Sequence, residues 1–196
     1  MMTDLDKNKT YTLDEFLLYV KEEERVELYE GIPIYMAPAS FQHENVVANI
    51  MGEFRLALKG GKCHIFSSNL QVVFPFKDEK KGKDDVVVLP DISIVCDPSK
   101  LHNKRCYGAT DLVVEVLSPS TGRNDRLLKR NYYEKAGVKE YLIVDHQNQY
   151  IEKYVLRDNT LNLDEIYFSE NQLFSSTCFP DIDFSISDIF PLELNE

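Results

Sequence analysis

The sequence predicts an α/β domain in which parallel and antiparallel strand pairs are combined. Two almost continuous apolar runs, residues 86–96 and 112–117, are typical of strands that are covered on both faces. A helix over about residues 123–136 joins the second run to a further apolar strand, residues 139–145. Because a helical crossover returns the chain in the same direction, we expect these last two strands to be parallel. The length of 196 residues fits one domain with its own core, spanning residues 1–196.

Local signals place the elements of the first third of the chain. Thr12 followed by Glu15 has the pattern of a capping box, which predicts a short amphipathic helix over residues 12–19. Residues 25–36 alternate about the pair Glu30-Gly31, as in a β-hairpin with a tight turn. A helix of about 18 residues, beginning near residue 40, follows the hairpin.

The remaining segments are expected to form strands and loops. We predict a strand over residues 64–76, an exposed charged turn over 77–85, a loop over 101–108, an antiparallel meander over 149–156 and 161–168, and a strand with a short turn within 175–194.

Composition excludes several classes of protein. No apolar run approaches the ~20 residues that a membrane span needs, and the polar, acidic N-terminus is unlike a signal peptide. The 4 cysteines form no CxxC pair, and Cys96, at the end of an apolar strand, is expected to be a small buried thiol. These features predict a cytoplasmic protein in a reducing compartment.

The charge of the chain is distributed unevenly. A net charge of -11 argues against generic nucleic-acid binding. Residues 100–135, however, contain eight basic and four acidic side chains, and the predicted carboxylate-bearing strands lie in or beside this basic region. A nucleic-acid surface and a solvated helix face are equally compatible with that pattern.

Two carboxylates carry the candidate chemistry. Asp91 and Glu115 each interrupt an apolar strand, and carboxylates are almost never fully buried without a partner. Neighbouring strands would bring both side chains to one Mg²⁺ or Mn²⁺, with the peptide oxygen of Val116 as a further ligand. Such an ion polarises a phosphate oxygen and makes hydroxide from bound water. Lys129, on the apolar face of the following helix, would orient the water or stabilise the developing charge.

Each candidate also has a structural interpretation. The two carboxylates could form ion pairs with arginines, since structural networks also bury acids. Lys129 could simply pair with Asp125, one turn before it on the helix. His43, at the start of the long helix, could be a cap, a satisfied core histidine or a residue that reaches the site. Glu27, in the hairpin, could supply a third carboxylate or lie exposed on its strand.

Four segments and a few single residues carry a family resemblance. The segments are VELYEGIPIYMAPAS, LPDISIVCDPSK, DLVVEVLSPST and AGVKEYLIVD, and the single residues are His43, Asp125, Lys129 and Tyr133. In these features the chain resembles the Uma2 family of endonucleases, whose DUF820 domain is placed in the PD-(D/E)XK nuclease superfamily. The resemblance covers about residues 12–190 and is most specific over residues 90–145. It implies a restriction-endonuclease-like fold, with a central mixed β-sheet flanked by helices. Asp91 would be the aspartate of the superfamily, and Glu115 the acid of its second half-motif.

Two positions depart from the family pattern. In the superfamily a lysine lies two residues after the second acid, where this chain has Leu117. Lys129 would then be a migrated lysine that reaches the same space from the helix. In the hairpin, Ile32 stands after Glu30-Gly31, where we would expect an acid in relatives.

The leading hypothesis is a metal-dependent DNA endonuclease that hydrolyses phosphodiester bonds. In it Asp91 and Glu115 bind Mg²⁺ (or Mn²⁺), and Lys129 assists the attacking water. The alternatives are a non-catalytic DNA-binding or regulatory module of the same fold and a metal-dependent hydrolase of another phosphoester. DNA is the expected partner, no membrane partner is expected, and a homodimer is compatible with the sequence.

Overall fold

The computed structural model describes residues 5–6, 8–21, 24–76, 85–118, 122, 125–168 and 171–190. Its helices and strands follow one another in a mixed α+β order, which confirms the predicted fold class. In chain order they are α1 (Leu13–Tyr19), β1 (Val26–Tyr29), β2 (Ile32–Tyr35), α2 (Phe41–Ala57), β3 (His64–Ser67), β4 (Gln71–Phe74), β5 (Val86–Val88), β6 (Ile92–Val95), β7 (Leu101–His102), β8 (Arg105–Tyr107), β9 (Leu112–Val116), a π-helical turn (Asp125–Lys129), α3 (Arg130–Ala136), β10 (Glu140–Asp145), β11 (Tyr150–Arg157), β12 (Thr160–Tyr167), β13 (Leu173–Ser175), β14 (Asp183–Ser185) and α4 (Ile186–Ile189).

The described strands form two mixed six-stranded sheets and a two-stranded ribbon. The first sheet has the order β2-β1-β5-β4-β8-β7, and the second has the order β12-β11-β10-β9-β6-β3. The ribbon pairs β13 with β14. The described strands are therefore divided between two mixed sheets, and one of the passages from the first sheet to the second lies between β5 and β6, at residues 89–91.

The N-terminal predictions are confirmed in detail. The Thr12 hydroxyl accepts a hydrogen bond from the Glu15 backbone N–H, and the Glu15 carboxylate accepts one from the Thr12 N–H, so α1 begins with a capping box. Strands β1 and β2 form the predicted hairpin. Both turn residues, Glu30 (φ 48°) and Gly31 (φ 82°), have positive φ, the backbone of a tight two-residue hairpin turn.

The second sheet has the predicted connectivity around the crossover. Strand β10 pairs parallel with β9, as expected for two strands joined through a helix, and β6 pairs antiparallel with β9 on the other side. Strands β11 and β12 continue from β10 as the predicted antiparallel meander. This arrangement places β9, which carries Glu115, in the interior of the sheet.

Three predicted segments differ from the structure in where strands begin and end. Residues 86–96 form two strands, β5 and β6, in different sheets; Pro90 lies in the break between them, and proline has no N–H to donate to a sheet ladder. Residues 64–76 are likewise divided into β3 and β4, with a turn between them closed by the Leu70 N–H bonding to the Ser67 carbonyl. The predicted loop at 101–108 contains the short hairpin of β7 and β8.

The prediction of a free thiol at Cys96 was also wrong. Cys96 forms a disulfide with Cys63, and their Cα atoms are 4.0 Å apart. Strands β3 and β6 are antiparallel with His64 opposite Val95, which places Cys63 and Cys96 opposite each other at the ends of the strands. Side chains at opposite positions of two strands are the closest neighbours in a sheet, a geometry that sequence spacing does not reveal.

The helix predicted over residues 123–136 is not regular. The described residues form the π-helical turn and then α3, which ends at Gly137 in the left-handed conformation (φ 89°). The turn buries Asp125 and Lys129. Arg126, in the same turn, contacts Glu152 of β11, with Nη2 3.1 Å from Oε1. The predicted charged turn at residues 77–85 lies, except for Asp85, outside the described residues.

The core has a separate cluster on each face of the second sheet. Val114 and Val116 of β9 pack with α2 and the C-terminal elements, whereas Val113 and Leu117 pack with α3 and the first sheet. Glu115 alternates with Val114 and Val116, so it points to the face covered by α3. Within the described part of the chain, no helix is long and apolar enough to cross a membrane.

Candidate active site

A cavity of about 240 Å³ lies where the hairpin, α2, β9 and the π-helical turn meet. Three of its lining residues, Asp91, Glu115 and Lys129, are those that the sequence predicts to be catalytic, and His43 and Val116 also line it. Glu27 lies behind the wall, within ion-pair distance of Lys129. The remaining lining residues are Arg25, Met36, Ala37, Pro38, Ala39, Ser40 and Ser118.

The two predicted metal-binding carboxylates are cross-strand neighbours. Strands β6 and β9 are antiparallel with Ile92 opposite Val114, a register that places Asp91 opposite Glu115 on the same face. Asp91 was expected within a strand. It lies instead in the break between β5 and β6. The break turns its carboxylate toward β9, where Asp91 Oδ2 accepts the Val116 N–H at 2.8 Å.

His43 reaches this pair from the first turn of α2. Ser40 caps the helix: its side-chain oxygen accepts the His43 N–H at 3.2 Å. The ring Nε2 lies 3.2 Å from Asp91 Oδ2 and 3.0 Å from the Val116 carbonyl oxygen. Burial lowers the pKa of His43, but its contacts with Asp91 outweigh burial, so the pKa is raised overall. His43 therefore lines the same cavity as Asp91 and Glu115, and its Nε2 is hydrogen-bonded there.

Lys129 is the centre of a buried ion cluster. Its Nζ lies 3.0 Å from Glu115 Oε1, 3.1 Å from Glu27 Oε1 and 3.5 Å from Asp125 Oδ1. The side chain is only 2% exposed. The suggested pair with Asp125 therefore exists, but it is one of three contacts. Glu27 is also 2% exposed, so its interpretation as an exposed strand residue was wrong.

Two tyrosines complete the cluster and were not among the predicted site residues. The Tyr133 hydroxyl donates to Glu115 Oε1 at 2.5 Å, and the Tyr29 hydroxyl donates to Glu27 Oε2 at 2.8 Å. The Leu89 N–H also donates to Glu27, at 2.9 Å. Tyr133 follows Lys129 by one helical turn, a spacing that could have identified it as a site residue. For Tyr29 the only such signal in the sequence is that it shares a strand face with Glu27.

The site holds more buried acids than buried bases. Four carboxylates, each at most 9% exposed, face Lys129 and His43: Glu27, Asp91, Glu115 and Asp125. Burial raises the pKa of the Glu115 carboxyl well above its ordinary value; Lys129 opposes this, while the other three carboxylates add to it. Burial lowers the pKa of Lys129, but Glu115 and Glu27 outweigh burial and raise it well above its ordinary value. The neighbouring carboxylates therefore favour the charged form of Lys129.

The donor atoms fit a small, hard cation. Asp91 Oδ2 and the Val116 carbonyl oxygen both lie within hydrogen-bond distance of His43 Nε2, at 3.2 and 3.0 Å. With Glu115 they form a set of carboxylate and carbonyl oxygens, the ligands that Mg²⁺ and Mn²⁺ prefer. Among the described residues no group of three His, Cys, Asp or Glu side chains has the geometry of a metal site. Mg²⁺ usually keeps several waters and is held by one or two carboxylates, so Asp91 and Glu115 are the side chains of this cavity that could hold one.

Comparison with solved structures defines the class of fold. A crystal structure described as "a putative nuclease belonging to DUF820 from Anabaena variabilis ATCC 29413" superposes with a TM-score of 0.74. The match covers 92% of this chain and 97% of that one at 21% sequence identity. The chain therefore has the fold of that DUF820 protein.

Sequence comparison identifies the family. The model of the Uma2 family, described as "Putative restriction endonuclease", matches residues 13–187, so the chain belongs to the Uma2 family. The uncharacterized protein slr1290 of Synechocystis sp. (strain ATCC 27184 / PCC 6803 / Kazusa) is 29% identical over 140 residues, which are 71% of this chain and 70% of that protein. The resemblance found in the sequence motifs is confirmed.

Proposed function

We propose that this protein is a metal-dependent DNA endonuclease and that the cavity around Asp91, Glu115 and Lys129 is its active site. The observation that carries the proposal is the excess of buried carboxylates that face one small cavity together with a buried lysine. Buried charges are costly unless they are paired, and clusters of them occur at functional sites as well as in structural ion networks. The description of the Uma2 family and that of the Anabaena protein add independent support for a nuclease.

The proposed metal ligands are Asp91, Glu115 and the carbonyl oxygen of Val116. When bound, Mg²⁺ or Mn²⁺ would polarise a phosphate oxygen and lower the pKa of a bound water. The Val116 N–H and His43 hold the Asp91 carboxylate in place, and the Tyr133 hydroxyl holds that of Glu115. Hydrogen bonds of this kind orient ligands and are a common feature around protein metal sites.

Lys129 is proposed to act on the attacking water and the charge that develops on the phosphate. Its ammonium has three donors, and the carboxylates of Glu27, Asp125 and Glu115 fix its position. The three carboxylates together carry more negative charge than one ammonium can balance. A preorganised ammonium in a buried site stabilises a transition state more strongly than one in water. Leu117, where the superfamily has its lysine, packs in the core beneath the same face of the sheet.

One observation favours the alternative of a non-catalytic module of the same fold. All three carboxylates around Lys129 lie within 3.5 Å of its ammonium, which is also what a purely structural ion cluster looks like. Together with the net charge of -11, this arrangement would suit a protein that binds or regulates without turnover.

A plasmid-nicking assay distinguishes these functions. The natural protein is incubated with supercoiled plasmid and Mg²⁺, Mn²⁺ or EDTA, alongside Asp91→Ala and a matched control, Asp183→Ala, which removes an exposed aspartate of β14. We expect the natural protein to nick the plasmid only when a metal is present. Asp91→Ala should lose this activity, and Asp183→Ala should retain it. DNA binding without nicking by the natural protein would select the non-catalytic module, and equal nicking by Asp91→Ala would refute the assigned site.

A further inference from the structure

A second and larger cavity, of about 720 Å³, adjoins the candidate active site. Its wall is formed by the end of α1, the start of β1, the β3–β4 turn and the β7–β8 hairpin. Among the described residues that line it, four are basic and one, Glu24, is a carboxylate; the basic residues are Lys21, Arg25, Lys104 and Arg105. In a chain with a net charge of -11, the described part of this lining is positively charged.

Arg25 is the residue that lines both cavities. Its backbone is fixed, because the Arg25 carbonyl oxygen accepts the Met36 N–H at 2.9 Å across the hairpin. Its side-chain Nε is buried and has no hydrogen-bond partner among the described residues. Because Arg25 Nε makes no bond within the described protein, the guanidinium keeps hydrogen-bonding capacity for groups that enter either cavity.

We propose that Arg25 binds a backbone phosphate of the DNA strand beside the scissile bond, and that the 720 Å³ cavity holds the phosphates that follow it. This inference rests on the proposed nuclease function and adds the path of the substrate strand. It accounts for the position of Arg25, because this side chain lines both the cavity around Asp91 and Glu115 and the basic cavity.

The chemistry of the wall suits a phosphodiester strand. A guanidinium presents a planar fork of N–H groups that matches the oxygens of a phosphate, and the Arg25 side chain lines both cavities. The Arg105 Nε–H donates to the Gln71 side-chain oxygen at 2.8 Å, which holds this second guanidinium in the wall. Ser68, Asn69 and Asn103 add neutral donors and acceptors of the kind that contact sugars and phosphates.

The test measures DNA binding and cleavage by arginine variants of the full chain. Binding of a fluorescent DNA duplex is measured by anisotropy in EDTA over a range of salt concentrations, and cleavage is measured with Mn²⁺. The variants are Arg25→Gln, Arg25→Lys and the matched control Arg55→Gln, which removes an exposed arginine of α2. Thermal melting checks that each variant is folded. If Arg25→Gln does not fold, Arg25→Lys provides a second test.

We expect Arg25→Gln to weaken DNA binding by about tenfold and to reduce the slope of log affinity against log salt by about one, as for the loss of one phosphate contact. Arg25→Lys should keep the salt slope but cleave more slowly, because lysine lacks the planar fork. Arg55→Gln should match the natural protein. If the natural protein cleaves DNA and Arg25→Gln binds and cleaves equally well, the inference is overturned while the proposed function stands. If the natural protein neither binds nor cleaves DNA with Mg²⁺ or Mn²⁺, both fall together.

Discussion

At the scale of single residues, the site depends on one buried lysine. The Lys129 ammonium is within 3.5 Å of three carboxylates that are themselves almost fully buried. Removing one partner of a buried ion cluster lowers the free energy of unfolding by more than the cluster as a whole contributes to it. The reason is that the remaining charges stay buried without compensation. Lys129 therefore has a structural role whether or not it also takes part in the reaction.

The substitution Lys129→Met tests that role and separates it from catalysis. We expect the free energy of unfolding in EDTA at neutral pH to fall by about 3–5 kcal/mol, as measured by urea denaturation. The deficit should shrink as pH is lowered, because protonation of the three carboxylates removes the uncompensated charge. Cleavage by the folded variant should fall by about 10²-fold or more, the usual effect of losing a charge-stabilising group.

The control for this prediction is Lys59→Met, which removes an exposed lysine after α2 and should leave stability and cleavage nearly unchanged. A Lys129→Met protein as stable as the natural one would show that the carboxylates around Lys129 do not need its charge. A stable variant that also cleaves DNA at the natural rate would remove Lys129 from the mechanism.

At the scale of elements, the hairpin shows how local sequence positions the site. The turn at Glu30-Gly31 folds β1 and β2 so that Glu27 faces inward and Met36–Ser40 border the cavity. Gly31 has φ 82°, and a Cβ added there would lie 2.9 Å from the Tyr11 backbone oxygen. A side chain at this position is therefore disfavoured both by the backbone conformation and by a close contact.

We expect Gly31→Ala to lower the free energy of unfolding by about 1–3 kcal/mol, since it combines a left-handed alanine with a clash against backbone. Gly52→Ala is the matched control: Gly52 lies in α2, and a Cβ there would have no atom within 4 Å. It should raise the free energy of unfolding by about 0.5–1 kcal/mol, because alanine is the better helix former. Urea denaturation of both variants checks the prediction, which fails if Gly31→Ala is as stable as Gly52→Ala.

Local signals also explain which elements could be predicted from the sequence. The capping box at Thr12, the turn at Glu30-Gly31 and the crossover from β9 to β10 depend on neighbouring residues or on chain direction, and all three were confirmed. The division of residues 86–96 between two sheets was missed, because an apolar run does not show where partner strands change. Pro90 was the available signal, since proline is poorly accommodated within a central strand.

At the scale of the whole molecule, the candidate site depends on contacts between distant parts of the chain. Asp91, Glu115 and Lys129 were predicted from strand and helix patterns, and the structure brings them to one cavity. The disulfide between Cys63 and Cys96, the burial of Glu27 and the cavity lined by Arg25 could not be predicted. Each depends on strand register or on contacts across the two sheets, which one sequence does not specify.

Asp91 and Glu115, with the Val116 carbonyl, are proposed to form a metal site. Binding of Mn²⁺ to the protein is the measurement that tests this proposal. A titration of the protein followed by the signal of free Mn²⁺ gives the number of sites and their affinity, and thermal melting gives the matching stabilisation. We predict one site in the natural protein and in Asp183→Asn, no such site in Asp91→Asn, and a melting temperature that rises with Mn²⁺ only where the site is present. Equal binding and stabilisation of Asp91→Asn and the natural protein would contradict the account.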